Sequence, residues 1–253
     1  MIQTRGLEKR YGSFQVLHPL DLQVNPGEVF GFLGPNGAGK TTTIRIITGI
    51  LPPTNGEVCI DGIDLMDDPV EARRRMGYIP DRPYLYEKLT GWEFLEFLSG
   101  MYGLDEEEIR TSGKRLLKMH NLWEVADHLI EGYSHGMKQR LILAATLLHR
   151  PRLLVVDEPM VGLDPRGARQ IKSVFRSLAD EGRTVFLSTH SLDVAEEVCD
   201  RIAILNRGRI VAMGSLTELR EAAQAGDADL EAVFLKITRE EAMEEGNTME
   251  ASK

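Results

Sequence analysis

Eight residues, GPNGAGKT at Gly34–Thr41, constrain this chain more than any other stretch. They fit the pattern G-x-x-x-x-G-K-S/T. They stand between an apolar run, EVFGFLG (Glu28–Gly34), and a helical pattern over Lys40–Thr48. Strand, glycine-rich loop and helix in that order form the context of a phosphate-binding loop. Glycines let successive backbone N–H groups curl around phosphate oxygens. The reading assigns Gly34, Pro35, Asn36, Gly37, Ala38 and Gly39 to the cradle. Lys40 bridges the β- and γ-phosphates, the Thr41 hydroxyl is a Mg²⁺ ligand, and Thr42 lies near the α-phosphate.

The rest of the pattern is α/β. RLLVVD (Arg152–Asp157) and TVFLST (Thr184–Thr189) read as further buried strands. Helical stretches follow at Gly167–Ala179 and Leu192–Cys199, which argues for an α/β core. RIAILNRGRIVAMG (Arg201–Gly214) reads as a hairpin turning at Asn206–Gly208. The first thirty residues are β-rich and end in a Pro26–Gly27 turn. From about Thr90 to His149 the alternation stops and three helical patterns follow one another. The expected organisation is a phosphate-loop α/β core at 1–89 and 150–217, a helical lobe at 90–149, and a C-terminal helical extension with an acidic tail at 218–253. The tail is expected to be disordered beyond about Glu241, because EEAMEEGNTMEASK has little to bury.

A second chemical signal is LLVVDEP, Leu153–Pro159, an apolar strand ending in two carboxylates. Asp157 at the strand end suits a Mg²⁺-linked acid. Glu158, one residue on and turned away from the metal, can polarise an attacking water. Alone, an Asp–Glu pair after a strand says little. With a phosphate loop upstream it says P-loop NTPase.

A third signal is EGYSHGMKQR, Glu131–Arg140, where small and polar residues precede the apolar run LILAATLLH. This reads as the exposed start of a buried helix. Such a start offers free N–H groups and a partial positive charge, which suits an anion.

Composition excludes several classes. Hydrophobic content of 42% and charged content of 27% fit a soluble globular chain. The net charge of −9 lacks the basic footprint of a nucleic-acid binder. No apolar run approaches the ~20 residues that cross a bilayer, so any membrane role comes through another chain. Cys59 and Cys199 give neither a disulfide framework nor metal-ligand spacing, and fit a reducing cytosol.

The order of the motifs narrows the class. Tyr11 in RYGSFQVL precedes the phosphate loop, YSHGMKQR precedes the Asp157 strand, VGLDP follows Glu158, and His190 ends FLSTH. Over about residues 1–215 this set resembles the ATP-binding subunit of ABC transporters. The resemblance implies a RecA-like P-loop NTPase core with an N-terminal antiparallel β region and an inserted α-helical lobe. It implies ATP and Mg²⁺ as ligands. It assigns Tyr11 to stacking on adenine, and His190 to a switch contact with the γ-phosphate. Asp164, in the Gly162–Asp164 stretch, belongs to a loop that crosses to a second subunit. YSHGM stands where the family has LSGGQ. Ser134 and Gly136 match that motif, while Tyr133, His135 and Met137 depart from it.

The helix start at Ser134–Gly136 is then expected to hold the γ-phosphate of an ATP carried by a second ATP-binding subunit, identical or paralogous. Asp81, in MGYIPDRPYLYEKLT, stands where the family usually has a glutamine that senses Mg²⁺. It can still reach a cation or a water, but it adds negative charge and cannot donate. The form YSHGMKQR, the Asp81 position and LEAVFLKIT (Leu230–Thr238) resemble subunits serving exporters.

The implied function is a cytosolic ATPase subunit that drives a separate transmembrane permease and is held by it at the inner face of the membrane. A soluble ABC-type ATPase acting on nucleic acid or ribosomes is the alternative. It is disfavoured by a single cassette, no sustained heptads and no basic patch. A binding module with little turnover is disfavoured by Lys40, Asp157, Glu158 and His190. Six of the sixteen aromatics fall between Tyr84 and Tyr102. Of these, Phe94 and Phe97 read as lobe core, and Tyr84 and Tyr86 as the wall of a groove for a permease helix.

Overall fold

Alternation along three buried strands sets the layers. In the computed structural model, which describes residues 1–226 and 228–238, β3 (Val29–Leu33), β7 (Leu153–Asp157) and β8 (Thr184–Thr189) are buried along their whole length. Successive strand residues point to opposite faces. Phe30, Phe32, Leu153, Val155 and Phe186 therefore join one apolar cluster, and Val29, Leu154, Val156, Val185 and Leu187 another. A strand buried on both faces has to be apolar along its middle, as these are, and their polar residues Asp157, Thr184, Ser188 and Thr189 stand at strand ends.

These strands belong to a six-stranded sheet of order β10-β9-β3-β8-β7-β6, with β6 at Met76–Ile79, β9 at Arg201–Asn206 and β10 at Arg209–Gly214. All neighbouring pairs are parallel except β9–β10, the hairpin at the edge. A second, antiparallel sheet of order β2-β1-β4-β5 is built from β1 (Ile2–Tyr11), β2 (Phe14–Val24), β4 (Asn55–Ile60) and β5 (Ile63–Asp64). It packs through Leu7, Leu17, Leu22 and Val58 on the Phe30 face, together with Ile44, Ile46 and Ile47 of α1 (Lys40–Ile47). α2 (Pro69–Arg74) leads into β6.

Between β6 and β7 lie α3 (Gly91–Tyr102), α4 (Glu106–Glu108), a π-helical turn at Ile109–Gly113, α5 (Lys114–Met119) and α6 (His135–Thr146). Their buried residues, among them Phe94, Leu95, Leu117 and Leu143, run without a break into the Leu154 face of the sheet and α7 (Pro165–Asp180). The helical segment is therefore not a separate core. A third cluster joins β9 to α8 (Leu192–Val198), α9 (Leu216–Ala222) and a helical stretch at 230–238 through Ile202, Ala195, Leu219, Leu230 and Val233. The expected acidic tail lies outside the described residues.

One core assignment needs correction. Phe94 is buried at 4% exposure, but Phe97 is 46% exposed. Its ring meets Tyr86 edge-on at 5.0 Å, and Tyr86 meets Tyr84 at 5.4 Å. Spacing of i and i+3 places two residues on neighbouring helix positions, but the apolar stripe of α3 is narrow enough that Phe97 falls outside it.

Candidate functional site

Parallel pairing brings four strand ends to one edge of the sheet. Leu33 pairs with Thr189, Asp157 with Ser188, and Ile79 with Val156. The loops leaving β3, β8, β7 and β6 therefore converge where open α/β sheets hold ligands. They carry the Gly34–Thr41 loop, His190, the Asp157–Glu158 pair and Asp81.

The glycine-rich loop runs from β3 into α1. Gly39 is the N-cap of α1 with φ 109°, and the helix has no side-chain cap. That backbone angle favours glycine, and a Cβ there would also stand 2.6 Å from Leu17 Cδ2. The uncapped first turn leaves its N–H groups facing the cleft. By contrast, Ser134 caps α6 and Asp164 caps α7 through their own side chains, accepting from Met137 N at 3.3 Å and Gly167 N at 2.8 Å.

Pro35, Asn36, Gly37, Gly39, Lys40, Thr41, Thr42, Asp81, Asp157, Glu158 and Val16 wall one open cleft. Lys40 is buried, and its ammonium donates to the carbonyls of Gly34 at 2.7 Å and Pro35 at 3.3 Å. Its Nζ is 3.9 Å from Glu158 Oε1. Burial holds the Lys40 pKa below the usual lysine value, although Glu158 and Asp157 both pull it upward.

Asp157 and Glu158 point in different directions because the chain turns between them. Glu158 has φ 51°, a left-handed value uncommon for a side-chain-bearing residue, and such strain gathers at functional sites. Its N–H donates to Ser188 O at 3.1 Å. Asp157 accepts from Thr41 Oγ1 at 3.2 Å and from Ser188 Oγ. Burial raises the Asp157 pKa. The two hydroxyl donors oppose the rise, and Glu158 and Asp81 add to it. A buried carboxylate whose contacts are two hydroxyls is short of a cation. With Thr41 it offers hard oxygen donors that suit Mg²⁺ when phosphate oxygens complete the shell. Among the described residues no group of three or more His, Cys, Asp or Glu could hold a metal alone.

His190 meets Glu158 through Nδ1–Oε2 at 2.9 Å. Asp81 is half-exposed, with Arg82 Nε 3.9 Å from its Oδ2. Three further residues stand away from this lining. Tyr11 is 51% exposed with Lys9 Nζ 5.2 Å from its ring, and Val16 rather than Tyr11 lines the cleft. Ser134 and Gly136 do not line the cleft of their own chain. Sequence reasoning missed Ser188 and Val16. Ser188 contacts Asp157 through strand register, which no local pattern encodes.

The chain matches the family model described as "ABC transporter" over residues 17–161. It is 37% identical over 219 residues to the linearmycin resistance ATP-binding protein LnrL of Bacillus subtilis (strain 168), covering 87% of this chain and 70% of that protein. Against some longer curated relatives it spans less than half their length. It superposes on a solved ATP-binding subunit of an ABC transporter with a TM-score of 0.88 and 34% identity, covering 94% of this chain and 99% of the other. It also superposes on a dimeric post-hydrolysis ATP-binding cassette, MJ0796 with ADP and Pi, with a TM-score of 0.77 and 30% identity, covering 85% and 99%.

Proposed function

The chain belongs to the ABC transporter family as an ATP-binding, ATP-hydrolysing subunit, and from that premise we propose that it drives export through a separate transmembrane permease. Two ATP-binding subunits enclose each ATP between the cleft of one and the Ser134–Gly136 helix start of the other. One observation carries this reading. The helix start is exposed at Ser134 and stands outside the cleft of its own chain, which supports a role at another chain's nucleotide. No helix among the described residues is long and apolar enough to cross a membrane. The permease partner is supported by relatives that are themselves named as ATP-binding proteins of resistance systems. The resistance function printed for LnrL supports export over import. The expected location is the cytoplasmic face of the membrane, attached through the permease.

In this mechanism the α1 N–H groups and Lys40 bind the phosphates and withdraw charge from them. Thr41 and Asp157 would hold Mg²⁺, which when bound neutralises phosphate charge, and Asp81 adds a carboxylate to the same wall. Glu158 orients the attacking water and accepts its proton, and His190 fixes one oxygen of that carboxylate. Tyr11 stacks on the adenine at the rim. Asp164, which caps α7, places the 161–164 loop at the surface facing the second subunit.

Association tests the proposal. Glu158→Gln with Mg-ATP should sediment as a dimer, or as a heterodimer with a paralogue, while the nucleotide-free form stays smaller. Ser134→Arg should block that association and leave ATP binding by the monomer in place. A mass that never responds to ATP, with candidate partners present, overturns the shared-site mechanism.

A further inference from the structure

The first turn of α6 is tied to the loop that follows Glu158 in the same chain. His135 Nε2 is 3.4 Å from Val161 O, and Gln139 Nε2 donates to the same oxygen at 3.0 Å. Residues 135 and 139 are one helical turn apart, so both side chains leave the same face of α6. The Nε2–Cδ2 side of the imidazole lies against Gly162, where a Cβ would stand 2.9 Å from Nε2 and 3.0 Å from Cδ2. The φ of Gly162 is 76°, which a side chain would strain as well. Leu163 lies beside Gly136, 3.7 Å from where a Cβ would be.

The connection continues to the carboxylate. Val161 N–H donates to Glu158 O at 3.4 Å, and Leu163 N–H to Met160 O at 3.3 Å, so the 158–163 loop is a tight unit. Glu158 in turn is fixed by Ser188 O at its N–H, and by His190 and Lys40 at its side chain. Gln139 also walls the small cavity that Asp81, Asp157 and Glu158 border. An unbroken series of contacts thus runs from the tip of α6 to the carboxylate in the cleft.

We propose that His135 and Gln139 are positioning residues that set Glu158 of their own chain according to where α6 stands. The inference rests on the reading that α6 meets an ATP held by a second subunit. When that contact moves α6, the shared Val161 carbonyl moves with it and carries the Glu158 loop. Occupancy of one ATP site thereby adjusts the water-activating group of the other. His135 serves because its ring is wide enough to span from the helix start to Val161 while resting on Gly162. The glycine found at that position in the related motif has no group that could make the contact.

Steady-state hydrolysis by the full chain tests this. His135→Gly and Gln139→Ala should each lower kcat about 3- to 10-fold, the scale of one lost hydrogen bond, with KM for ATP within about 2-fold. His135→Gln should recover most of the loss, because its amide N–H reaches the same carbonyl. Gly162→Ala should resemble His135→Gly. In a Glu158→Gln background, His135→Gly should still form the ATP-dependent dimer. Wild-type kcat in His135→Gly overturns the proposal. So does a His135→Gln variant as impaired as His135→Gly, or loss of the ATP-dependent dimer, which would make His135 a contact to the partner's nucleotide. A wild-type chain that turns over no ATP removes the hydrolytic reading itself, and this inference with it.

Discussion

His190 Nδ1 stands 2.9 Å from Glu158 Oε2, while Oε1 of the same carboxylate faces Lys40 Nζ at 3.9 Å. One carboxylate is therefore held between two cationic or cationisable groups that come from different loops. Its neighbour Asp157 faces two hydroxyls instead. The two acids are adjacent in sequence and occupy different electrostatic surroundings, which suits one to a proton and the other to a cation.

Glu158→Gln keeps the shape of the side chain and removes the proton acceptor. Turnover, followed as phosphate release, should fall on the order of 10²-fold or more while ATP binding persists. His190→Ala should lower kcat as well, because Glu158 then loses the contact that orients it. Wild-type phosphate release by the Gln variant would exclude Glu158 as the base.

Lys40→Ala removes the buried ammonium that the Gly34 and Pro35 carbonyls hold in the cleft. A charge-assisted contact contributes about 1.5–3 kcal/mol, so nucleotide affinity should drop roughly ten- to hundred-fold. Equilibrium binding of a labelled ATP analogue reads this directly. Unchanged affinity would sink the phosphate-loop assignment.

Asp157→Asn should stabilise the nucleotide-free chain and abolish hydrolysis. Burial raises the Asp157 pKa above 3.8, so the fold disfavours its charged form. The favourable contribution is present below the unfolded-state pKa and lost as pH rises through the folded one. At neutral pH the carboxylate thus costs stability, and Asn removes that cost. The Tm of the nucleotide-free chain should therefore rise. The added stabilisation by Mg-ATP should shrink in the same variant. A lower Tm without nucleotide would contradict the account.

His120 should make the helical segment acid-sensitive. It closes α5 with no exposed surface, and neither ring nitrogen has a partner. Burial, helped by Arg140, lowers its pKa from 6.5 to about 4. Between those values the unfolded chain binds the proton and the folded chain does not, so stability falls as pH drops through that window. The loss amounts to no more than about 3 kcal/mol. His120→Leu should flatten the profile in urea titrations from pH 7 to pH 4. An unchanged slope would show that the acid sensitivity lies elsewhere.

The sequence by itself determined the chemistry-bearing groups and their local frames. GPNGAGKT between a strand and a helix fixed the phosphate loop, because the turn needs glycine and the helix start needs no capping side chain. The apolar runs within Val29–Leu33, Leu153–Asp157 and Thr184–Thr189 were legible as strands, since a strand covered on both faces is apolar along its middle. Only the tertiary structure decided what meets what. The parallel register placed Ser188 against Asp157, and residues 31 apart in sequence carry no local pattern of that contact. Phe97 was misread because helical spacing gives the angle between side chains, not the width of the face that becomes covered. The tie from His135 and Gln139 to Val161 was equally out of reach, since it depends on a helix from one part of the chain packing on a loop from another. Local propensity acts over a few residues and is written in their order. Contact across the fold depends on how whole layers settle, and no short stretch of sequence contains it.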